Sequence, residues 1–103
     1  MERDDVLDYL TRTIHERLGE RVKEIILFGS RARGDAAPDS DYDCLVVVDE
    51  VSKDVDELAY ELGAEALDRY DALCFVLPVT EESYKEDRYH PLLMNVRREG
   101  VAL

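Results

Sequence analysis

The chain has 103 residues, of which 25 are acidic and 13 basic, for a formal net charge of −12. This length predicts one domain over residues 1–103, and an apolar share of 46% excludes a disordered chain. The acidic balance argues against a general nucleic-acid binder, and no apolar run is long enough to span a membrane. We therefore expect a cytoplasmic protein with a strongly hydrated surface, as in halophiles.

The first half of the chain predicts a helix followed by two strands. Apolar residues at helical spacing predict a helix over residues 4–18, ending at Gly19. Apolar, β-branched runs predict strands at residues 22–28 and 42–48. Between them lie a Gly-Ser turn, a short helical turn and a loop of turn-forming residues.

The second half predicts one more strand and three helices. A long helix over residues 54–70 precedes a third strand, residues 71–78, which ends at Pro78. Thr80 is placed to cap a short helix, and Pro91 to begin a final helix that stops before Gly100. The order α-β-β-α-β-α-α predicts an α/β (α+β) fold in which long helices cover one face of a small sheet.

Two aspartates stand at the start of the second predicted strand. Asp41 and Asp43 are separated by one residue, and residues i and i+2 of a strand point to the same side. Carboxylates held that close repel each other unless a positive charge neutralises them. Mg²⁺ takes oxygen ligands from one or two carboxylates plus substrate phosphates. The pair therefore predicts a magnesium site.

The turn before these aspartates has the chemistry of a phosphate site. Gly29 lets the backbone approach a ligand closely, and Ser30 offers a hydroxyl and an N–H group at the start of a helical turn. Arg31 and Arg33 can add charge-assisted hydrogen bonds to phosphate oxygens. Together with the aspartates, these residues predict a site that holds a nucleoside triphosphate through Mg²⁺ for in-line attack at phosphorus.

Residues 28–48 resemble the signature of the minimal nucleotidyltransferase family, within the polymerase-β-like superfamily. That signature is Gly-Ser, a spacer usually reading Arg-Ala-Arg-Gly, and Asp-x-Asp in a strand. It matches here at Gly29, Ser30, residues 32–34, Ser40, Asp41 and Asp43. The resemblance implies a mixed sheet packed against helices, and it adds Ser40 to the nucleotide-binding set.

The same resemblance implies an activity and a partner. It implies two Mg²⁺ ions and transfer of a nucleoside monophosphate, here AMP from ATP, to a hydroxyl of a partner protein. The frequent partner in this family is a helical HEPN-type protein, with which the nucleotidyltransferase forms a toxin–antitoxin pair. The sequence leaves open the acceptor, the preferred base, and whether the chain is a monomer or a homodimer.

A third carboxylate, used by the superfamily on a later strand, has Asp71 as its candidate. It would complete the metal and catalytic set with Asp41 and Asp43. The register to Pro78 equally allows Leu73 or Phe75 at that position, which would leave the third carboxylate missing. The alternative function is then a weak or inactive nucleotide-binding module that neutralises a partner by contact, through the apolar and basic tail at residues 89–103.

Overall fold

The structure is a computed structural model that describes residues 4–35, 37 and 40–103. Part of the predicted loop at residues 35–40 therefore lies outside the described residues. The helices are α1 (Asp5–Leu18), α2 (Ser30–Arg33), α3 (Lys53–Tyr70), α4 (Glu81–Glu86) and α5 (Pro91–Glu99). The strands are β1 (Val22–Phe28), β2 (Tyr42–Val48), β3 (Cys74–Thr80) and β4 (Val101–Ala102).

The strands form one mixed sheet in the order β3-β2-β1-β4. Strand β1 is antiparallel to both β2 and β4, whereas β2 and β3 are parallel. This architecture confirms the predicted fold class. Every residue of β2 except Asp43 is buried, so the aspartate is held by the best-packed strand of the sheet.

Helices cover both faces of the sheet. On one face, α1 and α3 pack over the β2 side chains of Tyr42, Cys44, Val46 and Val48. On the other face, α5 packs Leu93 and Val96 against Ile26, Phe28, Leu45 and Val47. Because side chains alternate along a strand, Asp43 belongs to the face that α5 covers. The sequence predicted cover on one face only, because a helix as short as α5 does not reveal where it docks.

The third strand departs from its predicted bounds. It begins at Cys74 rather than residue 71, because Asp71 takes a left-handed backbone conformation (φ 52°) and ends α3 as its C-cap. It also continues through Pro78 to Thr80. A proline is tolerated there because β3 lies at the edge of the sheet, where an N–H group on the open side needs no partner.

Side-chain caps fix the starts of two helices, and the cap at Thr80 confirms the prediction. Asp4 caps α1 by accepting hydrogen bonds from the N–H groups of Val6 (2.9 Å) and Leu7 (3.2 Å). Thr80 caps α4 by accepting from the N–H of Ser83 at 3.0 Å. None of the helices in the described ranges is both long and apolar enough to cross a membrane.

Candidate active site

The turn after β1 brings the backbone against an aspartate of β2. Gly29 has a φ of 79°, a conformation that favours glycine, and leads directly into α2. A Cβ atom placed on Gly29 would lie 2.5 Å from Oδ2 of Asp43. Phe28 and Asp43 are paired in the β1–β2 register, which explains this approach. The absence of a side chain at residue 29 therefore makes room for the carboxylate.

The two predicted metal ligands are close enough to influence each other. Burial raises the pKa of Asp43, and the negative charge of Asp41 raises it further. Among the described residues, neither carboxylate accepts a hydrogen bond or forms an ion pair. The structure thus brings together two carboxylates whose charge is not neutralised by any side chain among residues 4–35, 37 and 40–103.

A magnesium ion fits this pair of carboxylates. They supply hard oxygen donors, and their uncompensated charge favours a cation. No group of three or more His, Cys, Asp and Glu side chains within the described ranges is arranged to hold a metal. An ion held by Asp41 and Asp43 would therefore complete its coordination with phosphate oxygens and water, as Mg²⁺ does in nucleotide sites.

The position beside Asp43 on β3 is apolar. Phe75 is the residue paired with Asp43 in the parallel β2–β3 register, and half of it (50%) is exposed. Asp71 is exposed at the end of α3 and lines a cleft of about 370 Å³ together with Arg31 and Tyr42. Tyr42 belongs to the opposite face of the sheet from Asp43, as the sequence predicted. The role of Asp71 as a third carboxylate stays a prediction.

Arg31 and Ser40 support the loop between α2 and β2. The Nε–H of Arg31 donates to the backbone carbonyl of Ser40 at 3.0 Å, and its guanidinium lies 3.9 Å from the ring centre of Tyr42. The Ser40 hydroxyl accepts from the N–H of Ala37 at 2.9 Å. The Tyr42 hydroxyl in turn donates to Asp4 at 2.8 Å. Both side chains predicted to bind nucleotide thus make contacts that shape the loop.

Arg33 lies between two carboxylates. Its Nη1–H group contacts Oε2 of Glu99 at 3.0 Å, and its Nε–H donates to Oδ2 of Asp35 at 3.3 Å. The hydrogen bond to Glu99 is the largest of the effects that raise the pKa of Arg33. The side chain of Arg33 is about half exposed (46%), so a ligand at the turn can reach it.

Glu99 is the site residue that the sequence did not reveal. Its Oε1 accepts a hydrogen bond from the N–H of Gly29 at 3.3 Å, in addition to the Arg33 contact. Only 15% of its side chain is exposed. In the sequence Glu99 is one of many acidic residues near a helix end, and no local pattern distinguishes it. Its place in the site follows from the docking of α5 on β1.

The fold and this site define a nucleotidyltransferase. The family model described as "Nucleotidyltransferase domain" matches residues 9–96. A protein of Methanocaldococcus jannaschii described as "Putative protein adenylyltransferase" is 30% identical over 104 residues, which cover 100% of this chain and 99% of that protein. The chain therefore belongs to the nucleotidyltransferase domain family, which confirms the predicted enzyme class.

Solved structures place the chain among the minimal members of that family. One described as "Structure of putative minimal nucleotidyltransferase" is 27% identical, with a TM-score of 0.55 over 100% of both chains. A toxin–antitoxin structure with AMP-PNP has a TM-score of 0.65 at 16% identity, covering 96% of this chain and 72% of that one. A structure described as a tri-AMPylated Shewanella oneidensis HEPN toxin in complex with MNT antitoxin has a TM-score of 0.54 at 14% identity, covering 92% of this chain and 66% of that one. These last two similarities concern the fold.

Proposed function

We propose that this protein transfers AMP from ATP to a hydroxyl group of a HEPN-type partner protein, in a Mg²⁺-dependent reaction, and acts as the antitoxin of that pair. The observation that supports this most is the pair of Asp41 and Asp43, which has no cationic partner in the part of the chain that the structure describes, set against the Gly29 turn. The M. jannaschii relative is described as a protein adenylyltransferase, and one neighbour of the same fold is an antitoxin bound to an AMPylated toxin.

In this proposal the turn binds the triphosphate and β2 holds the metal. Gly29 and Ser30 contact phosphate oxygens. Gly29 has no side chain, so a ligand can approach its backbone closely, and Ser30 offers a hydroxyl at the start of a helical turn. Arg33 balances phosphate charge with its exposed guanidinium. Arg31 and Ser40 act by holding the loop through the contact between them.

The reaction forms one bond and breaks one bond at phosphorus. The acceptor hydroxyl oxygen bonds to the α-phosphorus of ATP while the bond from that phosphorus to the bridging oxygen breaks. Pyrophosphate leaves with that oxygen, and the hydroxyl proton passes to water. Bound Mg²⁺ supplies charge neutralisation on the phosphates. Asp41 and Asp43 would hold that ion beside the Gly29 turn, where the phosphates would bind.

The second candidate is a module that binds nucleotide but neutralises its partner by contact. Phe75 favours this candidate function. It is paired with Asp43 on the neighbouring strand, at a position where a third carboxylate would complete the set of metal ligands. The predicted contact segment, the tail, supplies less surface than expected because Leu93 and Val96 are core residues. An exposed apolar row along β3 offers an alternative surface, formed by Phe75 and Leu77 of the strand and by Leu73 immediately before it.

The decisive experiment measures AMP transfer and partner neutralisation separately. The protein is mixed with MgATP and a candidate HEPN-type protein from the same organism, and AMP addition is read by intact-protein mass spectrometry. The double variant Asp41→Asn/Asp43→Asn should lose transfer, while the matched variant Asp68→Asn, at an exposed helical site, should keep it. Neutralisation that survives in the double variant without any transfer would establish the second candidate instead.

A further inference from the structure

A carboxylate already occupies the groups that the proposed function assigns to phosphate. Glu99 accepts from the N–H of Gly29 through Oε1 at 3.3 Å and pairs with Arg33 through Oε2 at 3.0 Å. Carboxylate and phosphate oxygens compete for the same donors, because both accept charge-assisted hydrogen bonds from guanidinium groups and from backbone N–H groups. A triphosphate oxygen that accepts from the N–H of Gly29 would therefore displace Oε1 of Glu99 from it, and it would compete with Oε2 for Arg33.

The fold holds Glu99 in this position. It is the last residue of α5, which Leu93 and Val96 anchor in the core. The N–H of Gly100 bonds to the carbonyl of Val96 at 2.7 Å, and a Cβ on Gly100 would collide with that same carbonyl. Immediately after this turn, Val101 pairs with Leu27 of β1. The carboxylate is thus directed at the turn by backbone geometry as well as by side-chain contact.

Glu99 differs from Asp35, the other carboxylate on Arg33. The side chain of Asp35 is 62% exposed, so water can solvate it when Arg33 turns to another anion. The side chain of Glu99 is only 15% exposed. A shielded carboxylate that loses its cation has little water to replace it, and this raises the free energy of the state in which Arg33 binds phosphate.

We propose that Glu99 is an affinity-determining residue of the phosphate site, an internal counter-anion that a triphosphate displaces from the N–H of Gly29 and with which it competes for Arg33. The inference rests on the proposed function for the assignment of these donors. Its consequence is selectivity, because an isolated phosphate gains too few contacts to displace Glu99. A metal-bound polyphosphate gains contacts at Asp41 and Asp43 as well.

The test is calorimetric titration with two probes, MgATP and inorganic tripolyphosphate with Mg²⁺. Glu99→Gln removes the charge but keeps an oxygen that can accept from the N–H of Gly29. It should bind both probes about tenfold more tightly than the wild type. The matched variant Asp35→Asn, on the same arginine, should stay within about twofold. Glu99→Gln binding that is equal to or weaker than the wild type overturns the inference.

Two further readouts separate a failure of this inference from a failure of the proposed function. If Glu99→Gln binds tripolyphosphate more tightly but no AMP is transferred to the partner, the role of Glu99 as a counter-anion is supported and the proposed activity is refuted. Transfer with unchanged Glu99→Gln affinity removes the counter-anion alone. If Glu99→Gln fails to fold by circular dichroism, Glu99→Asp replaces it. This variant withdraws the carboxylate by one methylene and should also bind more tightly; equal or weaker binding there overturns the inference.

Discussion

Oδ2 of Asp43 lies 2.5 Å from the point that a Cβ atom of Gly29 would occupy. The turn that follows β1 and the carboxylate of Asp43 on β2 are therefore in contact, and the contact depends on a residue without a side chain. The two halves of the candidate site cannot be altered independently, because a change at the turn displaces the carboxylate on β2.

Gly29→Ala should weaken nucleotide binding in addition to straining the backbone, because the new Cβ atom would collide with Asp43. Gly34 offers the matched control, since its φ is 83° and a Cβ there meets nothing within 4 Å. Both substitutions should lower the free energy of unfolding by about 1 kcal/mol or more, because alanine disfavours positive φ. Only Gly29→Ala should also weaken MgATP binding, by about tenfold or more in calorimetry, since it displaces Asp43. Equal weakening in both variants would contradict the role of the Asp43 contact.

Asp43→Asn should stabilise the nucleotide-free protein. Burial raises the pKa of Asp43 when the chain folds, and the charge of Asp41 adds to the shift. Asp43 therefore loses its proton at a lower pH in the unfolded chain than in the folded one. The contribution of Asp43 to the free energy of unfolding therefore decreases as pH rises from about 4 through the raised folded pKa. At neutral pH, the Tm of Asp43→Asn should exceed that of the wild type by on the order of a few degrees, given the length of the chain.

The same Tm difference should shrink as the pH falls below about 4, where Asp43 becomes protonated in both the folded and the unfolded state. Differential scanning calorimetry from acidic to neutral pH measures it, with exposed Asp68→Asn as the control. A Tm difference that does not vary with pH would show that packing, rather than ionisation, separates Asp43→Asn from the wild type. Mg²⁺ should raise the Tm of the wild type more than that of the variant.

Phe75→Asp should strengthen metal binding. Residue 75 is paired with Asp43, and its half-exposed side chain can be replaced without opening a large core cavity. A third carboxylate there should raise Mg²⁺ affinity by about tenfold or more and increase AMP transfer. Leu77→Asp is the control. Residue 77 lies on the same strand as Phe75, but it is paired with Leu45 of β2 and not with Asp43. No gain from Phe75→Asp, together with loss of transfer in Asp71→Asn, would assign the third carboxylate to Asp71.

The contact between Tyr42 and Asp4 should contribute to stability without affecting the phosphate site. Burial and the Asp4 hydrogen bond raise the pKa of Tyr42 to about 12, so its hydroxyl stays a donor at neutral pH. Tyr42→Phe should cost about 1 kcal/mol in unfolding free energy. Asp4→Ala should cost about 2–3 kcal/mol, because it also removes the cap of α1. Urea denaturation measures both values, and equal losses would show that the cap contributes nothing.

The parts of the molecule that local chemistry specifies were predictable from the sequence. Strands β1 and β2 match their predicted bounds, because apolar, β-branched runs bounded by turn formers have few alternatives. The Gly29–Ser30 turn and the Asp41/Asp43 pair were equally visible. Their spacing needs only the alternation of a strand and the conformational freedom of glycine.

Tertiary structure decided the parts that depend on register and docking. Strand β4 is too short to show periodicity and forms only because β1 offers it an open edge. The position of Phe75 opposite Asp43 is set by the β2–β3 register, which side-chain alternation alone does not determine. Glu99 reaches the Gly29 turn because α5 docks on the second face of the sheet. Such contacts join residues far apart in the chain, so their free energy depends on the assembled core and leaves no local pattern in the sequence.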